Sequence, residues 1–226
     1  MCVNQYLYPK LAFDPLRDFA PITQVVAVQF VLVAYPSLPV RDVKELIALA
    51  RERPGQINYS SSGPGGAPHL GGELFKSMAN VDLVHVPYKG SAPSFQDLLG
   101  GQVSLTFDSL VQALPYIRDG RLKALAVLGN KRSPLLPEVP TMAESLPGYE
   151  LTNWFGLVAP AAVPHEVIEK IHRDVVAALS DPCVSEKLSS MGATVVGNAP
   201  EQFGVVMRAD ASKWGRLIRE ADIRAE

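Results

Sequence analysis

Cysteine is scarce in this 226-residue chain: only Cys2 and Cys183 occur. Neither belongs to a Cys-x-x-Cys pair, so a cysteine-based zinc or dithiol redox site is excluded, and the two thiols do not report their compartment. Long apolar runs are missing as well. The longest, Val25 to Tyr35, is interrupted by Gln29 and falls far short of the roughly 20 residues that a membrane helix needs. Residues 1–10 lack both a basic start and an apolar segment, so they do not read as a secretory signal. Positive charge is not in excess, with 21 Lys and Arg against 23 Asp and Glu. There is no surplus to neutralise a phosphate backbone, and nucleic acid is not expected as a partner.

Familiar catalytic signatures are also absent. No Gly-x-Ser-x-Gly elbow and no Gly-x-x-x-x-Gly-Lys loop occurs, and neither His165 nor His172 lies in a His-Glu-x-x-His zinc helix. No metal, cofactor or catalytic residue is expected. His69 and His85 lie on different predicted elements, and each reads as a hydrogen-bonded structural histidine. What is present is a composition 47% hydrophobic and 19% charged, which supports a sizeable buried core.

Val25 to Ala34 reads as a strand buried on both faces. Asp42 to Arg53 reads as a helix with Val43, Leu46, Ile47 and Ala50 on one side and Pro54-Gly55 as its stop. A strand over Gln56 to Ser60 runs into the small-residue turn Ser61-Ser62-Gly63-Pro64-Gly65-Gly66-Ala67-Pro68, followed by a helix over His69 to Ala79. The alternation continues with a strand over Val81 to Val86, the turn Pro87-Tyr88-Lys89-Gly90, a helix over Ala92 to Leu99, and strands over Val103 to Phe107 and Leu122 to Leu128. A proline-rich connection, Asn130 to Gly148, leads to a strand over Trp154 to Ala159 and helices over Glu166 to Leu179 and about Pro200 to Ala221. Strands alternating with short helices predict a mainly parallel α/β sheet.

Ligands of open α/β folds bind at the carboxyl ends of parallel strands, where the turn from Ser60 to Pro68 is expected to lie. A glycine-rich turn entering a helix offers backbone N–H groups and the positive end of a helix dipole to a carboxylate or phosphate oxygen. Ser61 and Ser62 add hydroxyls, while small residues also pack turns that bind nothing. A dinucleotide fingerprint fails, because the third glycine falls at Pro68 and Pro64 removes a donor. The Pro87 to Gly90 turn combines an aromatic, a hydroxyl, a cation and a flexible backbone; alternatively it is a surface turn with Tyr88 packed and Lys89 solvated. Asp108 reads as a ligand contact or, more commonly for such a position, as a helix N-cap.

Several stretches together resemble the Bug or TctC-type substrate-binding receptors of tripartite tricarboxylate transporters. They are Phe13-Asp14-Pro15 with Asp18-Phe19-Ala20-Pro21, Pro54-Gly55-Gln56-Ile57-Asn58-Tyr59, Ser61-Ser62-Gly63 with His69-Leu70, and His85-Val86-Pro87-Tyr88-Lys89-Gly90. Leu98 to Val103, Leu122 to Val127, Val139-Pro140-Thr141 and Trp154-Phe155-Gly156-Leu157 continue the likeness in order. The resemblance implies a two-lobed type II periplasmic-binding-protein fold, with residues 1–35 and 152–226 in an incomplete first lobe and 36–151 in the second. The strands near Val31 to Ala34 and Trp154 to Ala159 would be the crossovers. It also implies a periplasmic, monomeric, non-catalytic receptor that binds a small organic acid and passes it to membrane permease subunits.

By the same resemblance Ser61, Ser62, Gly63, Gly65 and His69, with Pro87, Tyr88 and Gly90, would bind carboxylate oxygens. The chain departs from the family at Gly66, where a Ser or Thr is usual, and it begins where the family is already well into its first lobe. Two other readings accompany this one: a chain that keeps the fold and has lost binding, and an enzyme acting on a small acid. The solute is not named by these residues.

Overall fold

A computed structural model describes residues 2–8 and 10–224. The chain divides into two compact units, Met1–Val28 with Asn153–Glu226, and Gln29–Thr152. In chain order the elements are α1 (Asn4–Leu7), β1 (Phe19–Ala34), α2 (Val43–Glu52), β2 (Asn58–Ser61), α3 (Ala67–Ala79), β3 (Val84–Pro87), α4 (Ser91–Leu99), β4 (Leu105–Ser109), α5 (Leu110–Arg118), β5 (Lys123–Val127), β6 (Thr152–Pro160), α6 (His165–Ser180), α7 (Pro182–Ser190), β7 (Ala193–Val195) and α8 (Pro200–Glu220).

The unit Gln29–Thr152 is built on the strand order β3-β2-β4-β1-β5. β2 runs parallel to both β3 and β4, and β1 lies antiparallel to β4 and β5. The α/β architecture is as expected and the sheet is mixed, because β1 enters against the direction of the strands that follow it. Phe30, Val31, Leu32, Val33 and Ala34 of β1 are all buried. Val31 and Val33 join Phe95 and Leu98 of α4 and Leu110 and Ala113 of α5 in one cluster, the spacing of two that puts alternate strand residues on one face.

Local chemistry sets the helix ends. The Asp42 side chain accepts from the Glu45 amide, which satisfies one of the unpaired donors at the start of α2. α3 lies against the sheet through its glycines: a Cβ at Gly72 would come within 2.3 Å of the Tyr59 ring, so only glycine permits that approach. Tyr59 is fully buried there, edge-on to Phe107.

In the other unit, the early part of β1 pairs antiparallel with β7, Val26 facing Val195, and β6 also pairs with β1. Phe203, Met207 and Ala211 of α8 pack with Cys2, and Ile168 of α6 packs with Ile22 and Ala159. Among the described residues no helix is long and apolar enough to cross a membrane.

Candidate functional site

Three strand-to-helix junctions lie at the same end of the parallel trio β3-β2-β4. Ser61 ends β2 beside Pro87 of β3, and Ser60 is in register with Thr106 of β4. The turns that follow are tied together: the Tyr88 amide donates to the Ser61 carbonyl at 3.0 Å and the Gly90 amide to the Ser62 carbonyl at 3.1 Å. The structure therefore brings Ser61, Ser62, Gly63, Gly65, Gly66 and His69 together with Pro87, Tyr88 and Gly90.

Their roles within the turns differ from the expectation in detail. The amides of the glycines are spent inside the turns: Gly63 donates to Ser61 Oγ at 3.1 Å, Gly65 to His69 Nδ1 at 3.0 Å, and Gly66 to the Gly63 carbonyl at 3.3 Å. Among the described residues, the amides of Ser62 and Lys89 and the first-turn amides of Ala67 and Ser91 carry no acceptor. These four are among the donors left for an anion, beside the positive ends of α3 and α4.

Gly66, the residue just before α3, leaves room for a neighbour. A Cβ there would meet Ser62 Oγ at 3.2 Å, so a side chain at 66 would crowd that hydroxyl. Tyr88 does not present its hydroxyl to the turn, because it donates to Asp97 Oδ2 at 2.6 Å and the ring packs on the core. Burial and that bond push its pKa up to about 12. Lys89 is exposed.

Asp108 departs from the expected cap. The residue before α5 is Ser109, and Asp108 Oδ1 instead accepts from the Ser109 amide at 2.6 Å. Its Oδ2 is buried with no hydrogen bond among the described residues. Burial raises the carboxyl above its usual range, and the Ser109 amide and the Ser91 hydroxyl pull the other way. Since Oδ2 lacks a bonded partner, the Ser91 hydroxyl sits close without a well-formed hydrogen bond. Oδ2 is thus sealed in, while Oδ1 is engaged by the Ser109 amide.

Beneath the turn lies an arrangement that no spacing in the sequence discloses. The rings of His69 and His85 stack with centroids 3.7 Å apart and planes 10° from parallel, and Tyr59 stacks on His85 at 5.0 Å. His85 Nε2 lies 2.6 Å from Ser61 Oγ, the separation of a nucleophile and its base. Ser61 is fully buried and its oxygen already accepts from Gly63, so no electrophile reaches it. Burial lowers both histidines to about 4, with Lys76 adding to the effect on His69 and His69 adding to that on His85. Both rings are neutral at physiological pH. Among the described residues no cluster of three His, Cys, Asp or Glu could hold a metal ion.

The tripartite tricarboxylate transporter family receptor pattern matches residues 1–223. A solved R. palustris protein with adipate is 37% identical, with a TM-score of 0.87 over 98% of this chain and 75% of its own length. The periplasmic binding protein BugD is 33% identical, with a TM-score of 0.86 over 100% of this chain and 76% of its own. MatC from Rhodopseudomonas palustris with bound malate is 30% identical, with a TM-score of 0.82 over 94% and 74% of the two chains. The α/β fold is that of these periplasmic binding proteins, and the match over nearly the whole length decides the kinship. The chain belongs to the tripartite tricarboxylate transporter receptor family, whose members bind substrates without transforming them.

Proposed function

We propose that this chain is an extracytoplasmic solute receptor that binds a small dicarboxylate, or a related tricarboxylate or acidic amino acid, and delivers it to the permease subunits of a tripartite tricarboxylate transporter. The periplasm is the compartment this reading requires. The observation that carries it is the junction of two turns at the carboxyl ends of β2 and β3. Hydrogen bonds between them fix their spacing, and the amides of Ser62, Ala67, Lys89 and Ser91 remain without acceptors. Backbone donors at the starts of two helices suit carboxylate oxygens, and they add little desolvation of protein charge when the ligand binds. The relatives solved with adipate and with malate support the chemical class.

Calorimetric titration with adipate, malate, citrate and glutamate tests the reading. Saturable binding of at least one acid with micromolar or lower Kd is the expected result. Folded protein that gives no heat and no melting shift with any of the four at millimolar concentration overturns it.

A further inference from the structure

We propose that His69 is a positioning residue for the acid site: the lone pair on its Nδ1 holds the Gly65 amide and thereby sets the shape of the turn that presents the free donors. The ligand role that the family resemblance gives His69 is thus replaced by one acting through the turn. The inference rests on the binding reading above for its consequence and on geometry alone for its substance.

Gly65 has φ of +71°, and its N–H points to His69 Nδ1 at 3.0 Å, four residues along the chain. A ring nitrogen that accepts carries no proton, so the neutral ring bears its hydrogen on Nε2. That side faces Glu73 Oε1 at 3.9 Å. The other end of the turn is pinned by a second histidine. Ser61 Oγ accepts from Gly63, and its single proton goes either to the Gly63 carbonyl at 3.2 Å or to His85 Nε2 at 2.6 Å. Since the two imidazoles are stacked on each other, the first and last anchors of the turn share one support.

The charged and titratable groups facing His69 are few. Glu73 and Lys76 come from its own helix, His85 from β3 and Tyr59 from β2. Glu73 Oε1 is already engaged by the Tyr59 hydroxyl at 2.7 Å and by Lys76 at 2.9 Å, so it is poorly placed to stabilise an imidazolium. A proton on Nδ1 would turn the acceptor into a donor facing the Gly65 N–H. The turn would lose its anchor, and the amides of Ser62 and Ala67 would lose their fixed directions.

The experiment compares the wild type with His69→Asn, His69→Gln and His69→Phe. Asparagine can set an amide oxygen near the place of Nδ1, glutamine reaches toward Nε2, and phenylalanine keeps the stacked ring without an acceptor. Two quantities are read: hydrogen-exchange protection of the Gly65 amide by NMR, without ligand, and calorimetric Kd for malate and adipate. The proposal expects His69→Phe to lose at least tenfold in Gly65 protection and tenfold in affinity, and His69→Asn to recover most of both where His69→Gln does not. In the wild type, which needs no substitution, the Gly65 amide should lose protection as pH falls toward about 4.

Unchanged Gly65 protection in folded His69→Phe, or equal losses in the Asn and Phe variants, overturns the proposal. A wild type that binds none of the acids, yet releases Gly65 in His69→Phe, contradicts the receptor reading and leaves the positioning role standing.

Discussion

His69 and His85 approach each other more closely than any other pair of rings among the described residues, with 3.7 Å between centroids. One comes from the first turn of α3 and the other from β3, and each also holds a different end of the Ser61–Gly66 turn. Stacked imidazoles cannot both carry charge without strong repulsion, and burial already favours the neutral forms. The pair is therefore an uncharged floor under the proposed site, whose candidate donors are backbone amides.

Stability should depend on the protonation of this floor. His69 has its folded pKa lowered to about 4 from an ordinary value near 6.5, so the unfolded chain binds more protons between those limits. The contribution is complete above about pH 6.5 and is lost as pH falls through about 4. For His69 the loss is at most about 3 kcal/mol, at about 1.4 kcal/mol per pH unit. Urea unfolding at pH 7.5, 5.5 and 4.5 should show falling midpoints, with a smaller fall in His69→Asn. Equal pH dependence of the two proteins would contradict this.

Asp108 works in the opposite direction. Its folded carboxyl is raised above the unfolded value, so its favourable contribution is present at low pH and is lost as pH rises through the folded pKa. Burial disfavours the ionised Asp108 carboxylate, and Asp108→Asn removes the group that would have to ionise there. Relative to the wild type, the variant should gain stability as pH increases from 4 to 8, by about 1 kcal/mol or a few degrees in Tm. A relative stability that falls over that range would show that the ionised carboxylate is favoured.

The close approach of α3 to the sheet gives a sharp packing test. Gly72→Ala places a Cβ against the Tyr59 ring, which is fully buried and hydrogen-bonded to Glu73, so it has no room to retreat. Overpacking of this kind costs about 1–3 kcal/mol. A thermal melt should fall by several degrees, and an unchanged melt would mean that α3 sits further from the sheet.

Tyr88→Phe separates the packing role of this side chain from ligand contact. The hydroxyl is bonded to Asp97 on a partly exposed side chain, so its removal should lower stability by about 0.5–1.5 kcal/mol, the net worth of an ordinary hydrogen bond. Affinity for malate should stay within about threefold of the wild type. A loss of fiftyfold or more with unchanged stability would place the hydroxyl on the ligand.

Much of this was legible from residue order. Val43, Leu46 and Ala50 fall on one face of α2, and Pro54-Gly55 marks its stop, so that helix is evident from periodicity. The order strand, glycine turn, helix around Ser61 is equally plain, as is the block from Val84 to Leu99. Other elements were hidden for physical reasons. α5 has Pro115 inside it, which suggests a break rather than a helix, and α7 has no buried residue to mark a face. β7 spans only Ala193–Val195.

The direction of β1 was also beyond periodicity, since a buried strand reads the same whether its neighbours run with it or against it. The site was half visible. Glycine and serine content singled out the turn, but which amides stay free depends on bonds to His69 and His85. Those two side chains meet only because β2 and β3 pair in parallel and α3 folds back over them.

Amide perturbation mapping on adding malate or adipate to labelled protein tests the central claim most directly. The account predicts that the largest saturable shifts in the unit Gln29–Thr152 fall on Ser62, Ala67, Lys89 and Ser91. Saturable shifts centred elsewhere in that unit, with these four unmoved, would contradict it.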